Sequence, residues 1–363
     1  MINSLIEEFK KVKDFRKNRG KRHELWVVLT LISLALLTGN ITYKQIDNFR
    51  KNEEDKLIKL LGIDSKRLPS YSTIRRVMTE IQQSELQKIF QSIVEKHYGQ
   101  KSGLDWIAID GKCLKNTLTN YENEQQNRQI MVSGFSQETK LVIMAESFET
   151  KQCSENAKVR SMIENCGLSN KVFTLDALHC SRETTQTIID SKNDYLITVK
   201  ANQIKLHNDL KKLAKTQKPL TLYQSKDNGH GRYVIRTVSV FEGHRVKHKN
   251  YPHLRSFIKV ERVGFRGNKE YNQILYYISS RKLDAQTFAE KIQEHWSIEN
   301  QVHWVKDVIF KEDKSRLKSR DVASKFSLFV TLTLNVYRSL GFVSIKEGQD
   351  WLGKNWAKIL AIA

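Results

Sequence analysis

Trp106-Ile107-Ala108-Ile109-Asp110-Gly111-Lys112 is an apolar run of strand-forming residues that reaches a carboxylate and then a glycine. Val172-Phe173-Thr174-Leu175-Asp176 repeats the pattern. Short runs rich in Val, Ile and Phe also occur at 131–135, 141–148 and 195–199, and Ser181–Ser191 reads as a helix. Strands followed by helices predict an α/β domain with a central mixed sheet. Asp110 and Asp176 are then expected at strand tips, where the chain bends. If the two strands are neighbours, both carboxylates meet at one sheet edge, and like charges that close repel unless a cation lies between them.

A third acid follows in His295-Trp296-Ser297-Ile298-Glu299-Asn300, on a predicted helix spanning Ala285–Asp307. Three such carboxylates suit divalent cations that act on phosphates, here Mg2+ or Mn2+, as two ions roughly 4 Å apart. A turn or helix cap is the competing reading of any single strand-end aspartate. His295, Glu299, His303 and Lys306 would share one helical face, with Lys306 near enough to meet a phosphate. The two histidines hint at zinc, but their spacing is not that of a His-Glu-x-x-His site, so zinc is the weaker reading.

Charge points to the partner. The chain has 363 residues with 61 Lys+Arg against 40 Asp+Glu, a formal net charge of +21. Residues 200–282 hold 19 Lys+Arg and 5 Asp+Glu, so that stretch carries +14. Lys10–Arg22 is a second basic run, with Asp14 its one acid. Such clustering favours a polyanion, nucleic acid first. The four cysteines are scattered without a Cys-x-x-Cys pair, which argues against structural zinc and a disulfide framework and for a reducing cytoplasm. The longest apolar run, Leu25–Leu37, is too short to span a bilayer, so no membrane partner is expected.

Residues 1–100 read as helical, in segments at Ser4–Val12, Leu25–Leu37, Ile46–Leu61 and Ile74–Val94. Ser70 or Ser72 is a plausible N-cap for a helix carrying Arg75 and Arg76, which suits a phosphate backbone or a solvated bundle surface equally well. Between Asp176 and Glu299, strands are expected at 220–223, 233–241, 257–263 and 273–279. Their turns fall at Asn228-Gly229-His230-Gly231 and Arg266-Gly267-Asn268. Helices return at 285–307 and 322–340.

Several motifs belong to one set: Asp110-Gly111-Lys112, Leu175-Asp176-Ala177-Leu178-His179, the stretch from Asp194 to Gln203, His230-Gly231-Arg232, and His295 through Trp304, followed by Phe310, Glu312, Asp313 and Arg316. Together with Asp14-Phe15-Arg16 and Gly39, this set resembles the H-repeat-associated family of bacterial insertion-sequence transposases, within the DDE, RNase H-like superfamily. The resemblance implies an RNase H-like catalytic core with a basic β insertion at about 217–282, preceded by an all-α N-terminal domain. The expected boundaries are 1–100 for a helical DNA-binding domain, 101–340 for the catalytic domain and 341–363 for a C-terminal tail.

By similarity, Asp110, Asp176 and Glu299 form the catalytic, metal-binding triad. Lys112, Lys200, Arg232, His295 and Lys306, with Arg75 and Arg76, are expected to touch DNA. Related transposases carry Tyr-x2-Arg-x3-Glu-x6-Lys around the catalytic glutamate; here Lys306 matches its lysine, while His295 and Ile292 stand in place of its arginine and tyrosine. The implied activity is cleavage and strand transfer at transposon ends in double-stranded DNA, in the cytoplasm, by a chain that dimerises on DNA. A domesticated or inactive DNA-binding copy and a stand-alone nuclease are the alternatives.

Overall fold

The computed structural model describes residues 1–18, 21–98, 103–118, 126–229, 232–246, 250–267 and 269–361. Five helices lead: α1 (Ile2–Lys11), α2 (Leu25–Leu37), α3 (Tyr43–Leu61), α4 (Tyr71–Glu80) and α5 (Gln83–Tyr98). All residues of α2 except Trp26 are buried, which is why its sequence is apolar on every side. The single helical stretch expected over 74–94 is two helices, separated at Ile81-Gln82. A Thr42–Gln45 capping box starts α3, and Gly62, in the left-handed conformation that favours glycine, ends it.

Next come β1 (Asp105–Cys113), β2 (Gln129–Ser136), β3 (Val142–Glu149), α6 (Glu155–Asn165), β4 (Lys171–Leu175), α7 (Arg182–Asp190), β5 (Asp194–Val199) and α8 (Ile204–Thr216). Four basic-region strands follow: β6 (Thr221–Gly229), β7 (Arg232–Glu242), β8 (Ser256–Arg266) and β9 (Lys269–Ser279). His230, Gly231 and Asn268 of the two expected turns lie outside the described residues. The nine strands form one sheet in the order β3-β2-β1-β4-β5-β9-β8-β7-β6. Within it β1, β4 and β5 are parallel, while β2 pairs antiparallel with β1 and β3 antiparallel with β2. This is the RNase H-like arrangement. The insertion is not a separate layer, because β9 pairs antiparallel with β5 over residues 196–199 and carries the same sheet onward.

After the sheet come α9 (Ala285–His295), a π-helical turn (Glu299–His303), α10 (Trp304–Val308), α11 (Arg320–Ser339) and α12 (Ile345–Ala361). The stretch expected as a C-terminal tail thus carries α12, which buries Leu352 and Trp356 in the core of the N-terminal helices. The α11 helix runs through the same core and clips both neighbours. Asn335 accepts from the Val142 amide (2.8 Å) and donates to its carbonyl (2.7 Å), while Tyr337 donates to the Leu37 carbonyl (2.6 Å). Among the described residues, no helix is long and apolar enough to cross a membrane.

Candidate active site

Alternation along β1 sends Ile107 and Ile109 into the core beneath α6 and α7, and Ala108, Asp110 and Lys112 to the opposite face. Asp110 is not at a strand tip as expected: β1 runs on to Cys113, and Asp110 lies opposite Ser133 of β2. The chain stays extended because β2 continues to supply hydrogen-bonding partners as far as Ile130. Strands β1 and β4 are neighbours, and their last paired residues are Ala108 and Thr174. Asp110 and Asp176 each lie two residues further along, on the same edge.

Opposite Asp110 stands the π-helical turn. Here the Trp304 amide donates to the Glu299 carbonyl five residues back, so the expected continuous helix over 285–307 is broken into α9, the turn and α10. The wider turn aims Glu299 and His303 at β1. Ligand atoms of Asp110, Glu299 and His303 all lie within 4.8 Å of one another. The His303 ring is buried, with Nε2 3.3 Å from Asp110 Oδ2, and neither ring nitrogen has a hydrogen-bond partner among the described residues. Two hard carboxylates beside an unsatisfied imidazole form a donor set that can hold a divalent cation. Burial pushes the Asp110 carboxyl up, but contact with His303 and the Gly111 amide together hold it below its ordinary value, so it stays ionised.

Asp176 is placed differently. It caps the short 3-10 turn Ala177–His179, its Oδ1 accepting from the Leu178 amide at 3.0 Å, and it stands outside the three-residue cluster. Buried His179 lies between two acids, with Nε2 3.9 Å from Asp176 and 3.6 Å from Glu155. His295 is buried against β4, where its Nδ1 shares a 2.8 Å hydrogen bond with the Thr174 hydroxyl. Burial lowers the His295 pKa against the pull of Asp110 and Asp176, which favours a neutral ring.

Matched to residues 101–336 is the family pattern described as "Transposase DDE domain", and residues 6–94 match that described as "DDE_Tnp_1-associated". The chain belongs to the DDE transposase family. It is 28% identical over 351 residues to "Putative transposase YncI" of Escherichia coli O157:H7, covering 93% of this chain and 88% of that protein. It is 26% identical over 349 residues to "H repeat-associated putative transposase YhhI" of Escherichia coli (strain K12), covering 92% and 90%.

Several residues of this transposase that were expected to touch DNA are turned inward. Lys112 is buried, and its Nζ meets Asp307 (2.8 Å), Asp313 (3.0 Å) and Glu312 (3.1 Å). Burial opposes its charge, yet Glu312, Asp307 and Asp313 outweigh that and raise its pKa. Lys306 is 1% exposed and donates to the Ser327 hydroxyl (3.2 Å), so it reaches no phosphate in this conformation. The shared face expected for it is lost because the π-helical turn shifts every later side chain around the axis.

Arg75, Arg76 and Lys200 are exposed. Arg232 begins β7, and its side chain lies outside the described residues. Glu312 and Asp313 had no assigned role in the sequence beyond membership of the family set. Their partnership with Lys112, far away in the sequence, leaves no local pattern to read.

Proposed function

We propose that the chain is a DNA transposase that cuts transposon ends in double-stranded DNA and joins them to target DNA through Asp110, Asp176 and Glu299. The observation that carries the reading is the convergence of Asp110, Glu299 and His303 within 4.8 Å at the edge of an RNase H-like sheet. Asp176 lies next to that edge by the parallel pairing of β1 with β4. Mg2+ or Mn2+, as two ions, would be held by the three acids, with His303 as an added donor. When bound, such cations stabilise the negative charge that builds on a phosphate oxygen during displacement.

The protein's own part is positional. Asp110 is kept ionised by His303, ready to serve as a hard ligand without first losing a proton. His295, through its hydrogen bond to Thr174, ties the end of β4 to α9. Lys112 locks the segment that follows α10 onto β1, so the turn bearing Glu299 and His303 is held from both ends. We place this work in the cytoplasm and assign the DNA-bound form as a dimer, since an element has two ends to join.

The test is a nicking assay on the element's own flanking ends, with Mg2+ or Mn2+. Asp110→Asn, Asp176→Asn and Glu299→Gln should each abolish cleavage while duplex binding persists. Pre-cleaved ends offered with a plasmid should yield joined products. Cutting without joining would indicate a stand-alone nuclease, and nicking by Asp110→Asn would overturn the triad.

A further inference from the structure

Away from the carboxylates, a concavity of about 720 Å³ opens between the first turns of α3 and α4 and the segment 310–317. Five cations line it: Lys44 and Arg75 from the N-terminal helices, and Lys311, Lys314 and Arg316 from the segment beyond α10. No acid lines it, and none of the five is in an ion pair among the described residues. A basic concavity on the other side of α4 contrasts with this, since Arg50 there is already neutralised by Asp47 and Glu54. Five exposed, uncompensated cations facing one hollow repel one another, and an anion relieves that repulsion.

The 310–317 segment is built to present these charges. Lys311 adopts left-handed backbone angles (φ 51°, ψ 37°), which cost a non-glycine residue about 1 kcal/mol. With that turn, Phe310 and Glu312 are both buried while Lys311 between them faces outward. Glu312 and Asp313 reach Lys112 on β1, so the outward lysines are anchored to the strand that carries Asp110. Across the hollow, the rings of Tyr43 and Tyr71 stand edge to face at 6.2 Å. The Tyr43 hydroxyl is buried without a hydrogen-bond partner among the described residues. Burial pushes its pKa up to about 12, so it adds no negative charge to the hollow.

We propose that this concavity holds the sugar–phosphate backbone of duplex DNA, bridging the N-terminal helices and the catalytic sheet, an assignment that rests on the transposase reading above. The cations neutralise phosphates, and the exposed Tyr71 ring packs on a sugar. The arrangement reads no base edges. It therefore fixes where the duplex lies relative to Asp110 without selecting its sequence.

The experiment is fluorescence anisotropy of the full chain with labelled duplex carrying the element's ends, in EDTA, across a salt series. Arg75→Ala/Lys314→Ala/Arg316→Ala should weaken binding and flatten the slope of log K against log salt by about 0.9 for each phosphate no longer neutralised. Tyr71→Ala should weaken binding with that slope unchanged. Lys354→Ala/Lys358→Ala on α12, also a loss of positive charge, should alter neither. A triple variant with wild-type affinity and slope overturns the proposal, as does an equal weakening in the α12 control. If wild type binds the duplex here, and cuts it once Mg2+ replaces EDTA, but the triple variant binds identically, only the groove assignment falls. If wild type binds no duplex, the transposase reading falls with it.

Discussion

His303 Nε2 lies 3.3 Å from Asp110 Oδ2, and this contact joins the π-helical turn to the middle of β1. A buried imidazole with both nitrogens otherwise unsatisfied is costly to keep. The cost is offset if the ring completes a cation site.

His303→Ala should therefore raise the Mn2+ concentration needed for half-maximal cleavage by about 10- to 100-fold. Titrating Mn2+ in the nicking assay reads the shift directly. A histidine that merely filled space would lower the melting temperature and leave that concentration where it was.

Lys112 meets Asp307, Glu312 and Asp313 at once, while Lys115 reaches only Asp313 of the three, at 3.6 Å; Lys112 is 8% and Glu312 3% exposed. Lys112→Met leaves three acids clustered without it, and should cost about 3–5 kcal/mol of unfolding free energy. Lys112→Arg keeps the charge and should recover most of that stability. Chemical denaturation measures both; a Lys112→Met effect under about 1 kcal/mol would show that the cluster holds little of the fold together.

Lys306 gives the opposite sign. Burial lowers its pKa from 10.5 to about 8, against the pull of Glu312. The folded chain thus binds this proton less tightly than the unfolded chain. Stability from this position is full above pH 10.5 and declines as the pH falls toward 8, below which the buried ammonium carries its whole cost. Lys306→Met should then be more stable than wild type at pH 7, by about 1–3 kcal/mol, with the difference shrinking by pH 10. Paired denaturation curves at the two pH values decide it, and a Lys306→Met protein weaker than wild type at pH 7 contradicts the argument.

These side chains mark where sequence reasoning stops. Apolar runs at 106–109 and 172–175 told of strands because a strand buried on both faces must be apolar throughout. The antiparallel strands of the basic stretch were equally legible from their spacing. That β9 would pair with β5 and extend the one sheet was not, because pairing partners leave no local pattern. The break at Glu299–His303 was also hidden, since a π-helical turn adds a residue to the turn without changing the residue types present. For that reason the sequence singles out Glu299 from its neighbours, yet gives His303 no more than the weaker zinc reading and aims Lys306 at a phosphate. Asp176 shows the same limit: its capping bond to Leu178 is the ordinary behaviour of a strand-end aspartate, and only its position beside β1 distinguishes it.

Gly264 tests whether the basic strands can be uncoupled from the catalytic edge. A Cβ placed there would lie 1.8 Å from the Tyr233 carbonyl oxygen, on the backbone of β7, where no side chain can swing aside. Gly264→Ala must therefore separate β7 from β8 near the Val234–Gly264 pair. The cost should be about 1–3 kcal/mol, the range for overpacked sites. Because β9 holds β5 through residues 276–279, well along the sheet from Gly264, the disruption should fade before it reaches β4 and Asp176. Hydrogen exchange should show faster exchange in residues 232–238 and unchanged protection in 105–113. Loss of protection in both segments would mean that the nine strands open as one unit.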